Sequence, residues 1–307
     1  MGAYVEIFEV APRDGLQTEP LPIPTADKVA LVDGLSKVGF RHIEVASFVA
    51  PKWVPQMADS AQVLAGIGRC QGVSYAALVP NMQGFARAME AQADEIAIFG
   101  AASEGFSRAN INASIEESLH RFAPVVRAAL ARGVPVRGYI SCVCDCPYDG
   151  ATPPAQVAWV ARALRAMGCY QISLGDTLGR ARPPAVAAML EAVLQEVPAQ
   201  QLAGHYHDTA GWALDNIEVS LAAGLRVFDA SVAGLGGCPY APGAAGNVAT
   251  EKVHARLTAL GFATGLEDAA LSRAVQLARG LRARRGQEDQ EDQARQGGQS
   301  ERAPRHV

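Results

Sequence analysis

The strongest constraint on this chain is a rhythm. From residue 5 to about residue 260, short β-branched and apolar runs alternate with longer stretches of helical spacing. Eight segments read as strands: Val5 to Val10, His42 to Phe48, Ser74 to Val79, Glu95 to Gly100, Val136 to Cys142, Gln171 to Asp176, Leu202 to Asp208 and Val227 to Ala233. Between them, helices are expected over Thr25 to Val38, Asn81 to Gln92, Ser114 to Ala131, Pro153 to Met167, Pro183 to Glu196, Gly211 to Ala223 and Asn247 to Leu260. Ser114 with Glu117 forms a capping-box pattern, and Pro153 and Pro183 suit a first helical turn. Gly39, Gly133, Gly168, Gly224 and Gly261 stand where a helix C-cap needs positive φ.

Strands alternating with helices argue for a parallel sheet, and eight such units predict an α/β fold, a (β/α)8 TIM barrel. The competing open, doubly wound sheet needs a glycine fingerprint after its first strand. Here that strand leads into APRDGLQ instead. Leu266 to Arg285 reads as an additional C-terminal helix, so residues 1–285 form a single barrel domain and 286–307, polar and poor in apolar residues, a disordered tail. The apolar stripe of Leu266 to Leu281 suits either the barrel's base or a contact in a homodimer, the expected assembly.

Hydrophobic residues make up 49% of the 307, enough for a large core, and no uninterrupted apolar run reaches the roughly 18 residues of a membrane span. A net charge of −4 gives no reason to expect nucleic acid, so a small molecule is the expected partner. The opening MGAYVEIFEV lacks a targeting profile, so a cytoplasmic protein is expected. Six cysteines in that compartment are expected to stay reduced. Cys142, Cys144 and Cys146, if strand-borne, share one face, leaving a soft-metal site and ordinary buried thiols as alternatives.

Barrel chemistry gathers at the C-terminal ends of the strands. There the sequence offers Arg13 and Asp14 after strand 1, Glu44 on strand 2, Asp176 on strand 6, His205 and His207 on strand 7, and Asn247 and Glu251 beyond strand 8. Two histidines at i, i+2 point the same way, either as satisfied core residues or as metal ligands. With the Asp14 carboxylate and the Asn247 amide they suit a six-coordinate Mg2+ or Mn2+ better than tetrahedral zinc. Arg13 is either an ion-pair partner or an oxyanion stabiliser. Glu44 and Asp176 are costly to bury alone, which suggests a polar network around Arg13, as catalytic groups or as its structural partners. The loop AGLGGCPYAPGAAGN, with five glycines, reads as a mobile lid, and Cys238 on it is either a proton donor or incidental.

Longer motifs then narrow the field. VAPRDGLQ from Val10, IEVASFVAPKWVPQM from Ile43, IFGAASE from Ile98, NINASIEES from Asn110, VRGYISC from Val136, GCYQISLGDTLG from Gly168, HYHDT from His205 and SVAGLGGCPYAPGAAGNVATE from Ser231 resemble the 3-hydroxy-3-methylglutaryl-CoA lyase family of the DRE-TIM metallolyase superfamily. The resemblance covers nearly all of residues 5–265. It implies a carbon–carbon lyase that cleaves an acyl-CoA, 3-hydroxy-3-methylglutaryl-CoA, to acetoacetate and acetyl-CoA with a divalent cation. It implies Asp14, His205, His207 and Asn247 as metal ligands, Arg13 and Gln17 as substrate-binding residues, and Cys238 as the catalytic thiol. Glu44, Asp176 and Glu251 fall on the family's acidic active-site positions, and His205 and Asp14 compete as general base.

Departures from the family pattern are few. No cysteine follows Cys238, so regulation by a tail disulfide is not expected. Tyr206 replaces the cysteine usual between the histidines and should face away from the metal. Cys144 and Asp145 stand where smaller residues are common, which bears on selectivity. The alternatives within this chemistry are a longer or isoprenoid 3-hydroxyglutaryl-CoA and a related Claisen-condensing synthase. A catalytically silent binding barrel is the alternative outside it.

Overall fold

A computed structural model describes residues 2–19, 21–238 and 241–281, without the side chains of 238 and 241–245. Eight parallel strands close a barrel: β1 (Glu6–Glu9), β2 (His42–Ser47), β3 (Ser74–Leu78), β4 (Glu95–Ala101), β5 (Val136–Ser141), β6 (Gln171–Asp176), β7 (Leu202–Tyr206) and β8 (Val227–Ala230). They neighbour one another in chain order. β1 closes the ring by pairing with β8 from Glu6↔Val227 to Glu9↔Ala230.

The expected helices are present as α1 (Thr25–Leu35), α3 (Met82–Glu90), α5 (Ile115–Leu130), α6 (Pro154–Met167), α7 (Pro183–Leu194), α8 (Ala213–Ala222) and α9 (Thr250–Ala259). Ser114 caps α5 in a complete capping box with Glu117. The five cap glycines all take positive φ. Two helices were not legible as separate elements: α2 (Ser60–Gly66), of seven residues, and α4 (Glu104–Ile111), of eight, both short for a periodicity to register.

One continuous core fills the space between strands and helices, with Ile43, Ile96, Ile98, Ile172 and Leu202 pointing outward from the barrel into it. A last helix, α10, spans 268–281. Its Leu271, Ala274, Val275, Ala278 and Leu281 are buried in that same core. The stripe read as a base or dimer contact is therefore covered by the barrel's own residues, which removes it as the surface for the expected homodimer. The 286–307 tail lies outside the described residues.

The cysteine reading needs correction. β5 ends at Ser141, and Cys142 takes φ of 58°, so the three thiols do not share a strand face. Cys142 and Cys146 pack with Ala101 and Phe106 in a small separate cluster, while Cys144 lies against the main core. Burial pushes the Cys144 thiol up to about 12. Among the described residues no metal-holding group forms there. Asp145–Cys146 and Gly150–Ala151 make a two-stranded hairpin instead.

Candidate active site

Strand β1 stops before Arg13 because the chain turns into a short π-helical turn over Ala11–Gly15. The Val10 carbonyl accepts N–H groups from Arg13 at 3.2 Å, Asp14 at 2.8 Å and Gly15 at 3.2 Å. A β-carbon on Gly15 would meet Leu235 Cβ and Ser231 Oγ at 2.9 Å, so only glycine lets this turn lie flush on the loop after β8. The turn is what brings Asp14 to the barrel's C-terminal mouth.

There, ligand atoms of Asp14, His205 and His207 lie within 4.8 Å of one another. His205 ends the inward row of β7, and His207 follows just past the strand, bridged to Asn247. Asn247 Nδ2 donates to Asp14 Oδ2 at 2.8 Å, which places the amide at the same cluster. Tyr206 points away, its hydroxyl 2.7 Å from Ser220 Oγ on α8. Asp14, His205, His207 and Asn247 thus converge, whereas Glu44 approaches only through Arg13.

The donor set fits a divalent cation. His207 Nδ1 is buried and has no hydrogen-bond partner, a polar atom that the protein alone leaves unused. Burial and the neighbouring His205 push the His207 imidazole down to about 4, so that it is neutral at physiological pH. Burial alone would raise the Asp14 carboxyl, but Arg13, the two histidines and the Asn247 amide hold it at about 2. A neutral imidazole and an anionic carboxylate are the forms that bind metal.

Arg13 is buried beside the cluster. Its Nε donates to Glu44 Oε2 at 2.5 Å and its Nη1 to Asp14 Oδ1 at 2.6 Å, and Nη2 also meets Glu44. Gln17 lies at the rim of this group, 3.4 Å from both Arg13 Nη1 and Asp14 Oδ1. Burial disfavours the guanidinium charge, yet Glu44 and Asp14 hold Arg13 cationic above its ordinary value. The Tyr139 ring sits 5.6 Å from the guanidinium and edge-on to His205 at 6.3 Å.

Two carboxylates expected here spend their hydrogen bonds on loop backbone. Asp176 does not join the Arg13 network: it accepts backbone N–H groups from Gly179 at 3.2 Å and Ala181 at 3.0 Å, and so shapes the loop after β6. Glu251, in the first turn of α9, accepts the Ala233 N–H at 3.0 Å and faces Arg279 on α10. The glycine-rich loop also differs from a free lid at its base. Asp208 N–H donates to the Gly246 carbonyl at 2.7 Å, and the chain doubles back as a hairpin, Gly237–Cys238 against Ala241–Ala245. The Cys238 side chain lies outside the described residues.

Several buried charges were not legible in the sequence, Asp229, Arg137 and Glu9 among them. Asp229 on β8 and Arg137 on β5 form an ion pair across the barrel interior at 2.6 Å. Glu9 accepts from the Ala11 and Val232 N–H groups and from Thr250 Oγ1. A signal existed, since Arg137 and Asp229 occupy inward positions of otherwise apolar strands, where an unpaired charge is not tolerated.

A barrel with a buried arginine and a cluster of two imidazoles, a carboxylate and an amide at its C-terminal mouth belongs to the class of metal-dependent (β/α)8 enzymes. The chain belongs to the HMGL-like family, whose pattern matches residues 4–278. It is 59% identical over 267 residues to a Pseudomonas aeruginosa protein named 3-hydroxy-3-isohexenylglutaryl-CoA/hydroxymethylglutaryl-CoA lyase, covering 87% of this chain and 89% of that one. It is 56% identical over 263 residues to the mitochondrial hydroxymethylglutaryl-CoA lyase of Gallus gallus, covering 86% and 88%. The crystal structure of the HMG-CoA lyase from Brucella melitensis superposes with a TM-score of 0.91 at 58% identity, over 92% of this chain and 99% of that one.

Proposed function

We propose that this protein is a hydroxymethylglutaryl-CoA lyase, a carbon–carbon lyase that takes 3-hydroxy-3-methylglutaryl-CoA to acetoacetate and acetyl-CoA. The observation that carries this reading is the convergence of Asp14, His205 and His207 beside a buried, permanently cationic Arg13.

Asp14, His205, His207 and Asn247 would hold the cation, Mg2+ or Mn2+. A bound divalent ion supplies a charge that lowers the pKa of an adjacent hydroxyl. In the cleavage, the 3-hydroxyl gives up its proton, the C–O bond becomes a carbonyl, and the C2–C3 pair moves onto the thioester fragment as an enolate. Arg13 provides the fixed positive charge for that oxyanion, with Glu44 and Asp14 orienting its guanidinium. Gln17 assists Arg13 at the substrate edge. Cys238 would deliver the proton that completes acetyl-CoA, a role carried by the family motif. His205 and Asp14 are the candidate bases for the hydroxyl. Asp176 and Glu251 would serve by holding the loops that frame the site.

A second reading rests on the name of the Pseudomonas relative, which includes a longer isohexenyl substrate. Leu78, Ala97 and Tyr139 form an apolar group inside the barrel, with Val49 and Phe99 against it, and a longer C3 substituent would find apolar company there. The free thiols among the described cysteines suit a reducing compartment, the cytoplasm. No helix among the described residues is long and apolar enough to cross a membrane.

Incubation of the protein and Mg2+ with 3-hydroxyglutaryl-CoAs of increasing C3 substituent tests both readings. Acetoacetate from the methyl substrate supports the first. Turnover of only the longer members replaces it with the second, and no product from any member refutes both.

A further inference from the structure

Asp229 stands opposite His205 in the register of β8 against β7 and carries none of the roles above. Its Oδ2 is 3.1 Å from His205 Nδ1. A carboxylate has no proton to give, so the imidazole must donate from Nδ1, which leaves Nε2 as the lone pair that faces the cluster. The same carboxylate is held from two other strands. Arg137 on β5 donates from Nη2 to Oδ1 at 2.6 Å and from Nη1 to Oδ2 at 3.1 Å, and Ser173 on β6 donates to Oδ2 at 2.7 Å.

Arg137 is itself fixed. Its Nε donates to Gln171 Oε1 at 2.8 Å, its Nη1 to the Tyr139 hydroxyl at 2.9 Å, and its guanidinium lies 4.1 Å from the centre of the Phe8 ring. Only 1% of the arginine is exposed, so nothing in solvent competes for it. Residues from β5, β6 and β8 are therefore linked to the one imidazole that β7 supplies. A buried ion pair is costly to assemble and contributes little to stability by itself, so its place in contact with His205 is better explained by the orientation it imposes.

We infer that Asp229, clamped by Arg137 and Ser173, is a positioning residue that fixes the tautomer and ring orientation of His205 for the divalent cation. The inference rests on the reading that Asp14, His205 and His207 hold a cation. It concerns the strength with which the protein binds metal, whichever acyl-CoA is the substrate.

The test is the affinity of the metal-free protein for Mn2+ alone, measured from the free-ion electron paramagnetic resonance signal, for wild type, Asp229→Asn and the double variant Asp229→Asn with Arg137→Met. The double variant removes both buried charges and so folds without an unpaired guanidinium. The dissociation constant should rise about 10- to 100-fold in the variants. Excess Mn2+ should recover much of the lost turnover, a rescue that a purely structural residue would not show. If Asp229→Asn does not fold, the double variant decides. A folded variant with Mn2+ affinity within threefold of wild type overturns the role of Asp229. A wild-type protein that takes up no Mn2+ overturns the cation reading and this role together.

Discussion

Arg13 and Glu44 are joined by two contacts between one guanidinium edge and one carboxylate oxygen, and Glu44 is wholly buried. The two partners respond to the loss of the other in different ways. A stranded glutamate can take up a proton and become neutral, whereas a stranded arginine keeps its charge.

Replacing Glu44 by Gln leaves a buried guanidinium with only Asp14 as anion, and the expected loss of stability is about 3 kcal/mol. Urea unfolding of the two proteins measures it. An unchanged midpoint would show that Asp14 alone neutralises the arginine.

Arg13→Met should be the milder change for the fold and the more severe for turnover. Removing a preorganised oxyanion partner is expected to lower kcat by about 10³-fold, while Mn2+ binding persists because Arg13 is not a ligand. Kinetics and metal titration of the same preparation check both halves. Wild-type turnover would remove Arg13 from the chemistry.

Glu9 gives the protein an alkaline liability. Burial raises its carboxyl to about 8 despite bonds from Thr250, Ala11 and Val232. A raised folded-state value means that the stabilising contribution is complete below the ordinary pKa of 4.5 and is lost as pH rises through about 8. Glu9→Gln keeps the shape and cannot ionise, so the decline in stability between pH 5 and pH 9 should be shallower in the variant. Parallel pH profiles for both proteins would refute this account of Glu9.

Tyr206 separates the two faces of the HxH segment. Tyr206→Phe removes the bond to Ser220 and should cost about 1 kcal/mol in stability. Mn2+ affinity should not change, because the ring points away from Asp14, His205 and His207. A change in affinity would place the hydroxyl's influence at the metal cluster.

The barrel was legible because its signals are local. Strand and helix runs repeat, and caps such as Ser114 and Gly168 mark their ends. The convergence of His205, His207, Asp14 and Asn247 was legible once strand ends were aligned, since barrel closure makes β1 the neighbour of β8. The support of His205 was not, because Arg137 and Asp229 lie 92 residues apart and meet only across the interior. Asp176 and Glu251 share the composition of site residues, but their hydrogen bonds go to backbone N–H groups that no pattern of side chains announces. The cysteine triplet misled because one residue at positive φ, Cys142, ends the strand that its spacing assumed.

If Asp14, His205 and His207 hold the cation on which cleavage depends, removing that cation or one of its ligands must stop turnover. Acetoacetate release from 3-hydroxy-3-methylglutaryl-CoA, followed while Mn2+ is titrated into chelator-treated wild type and His207→Ala, tests it most directly. No product is expected before Mn2+ is added, with saturation near one equivalent in wild type and little turnover in the variant at that concentration. Full turnover by chelator-treated protein, or an unchanged titration in His207→Ala, would contradict it.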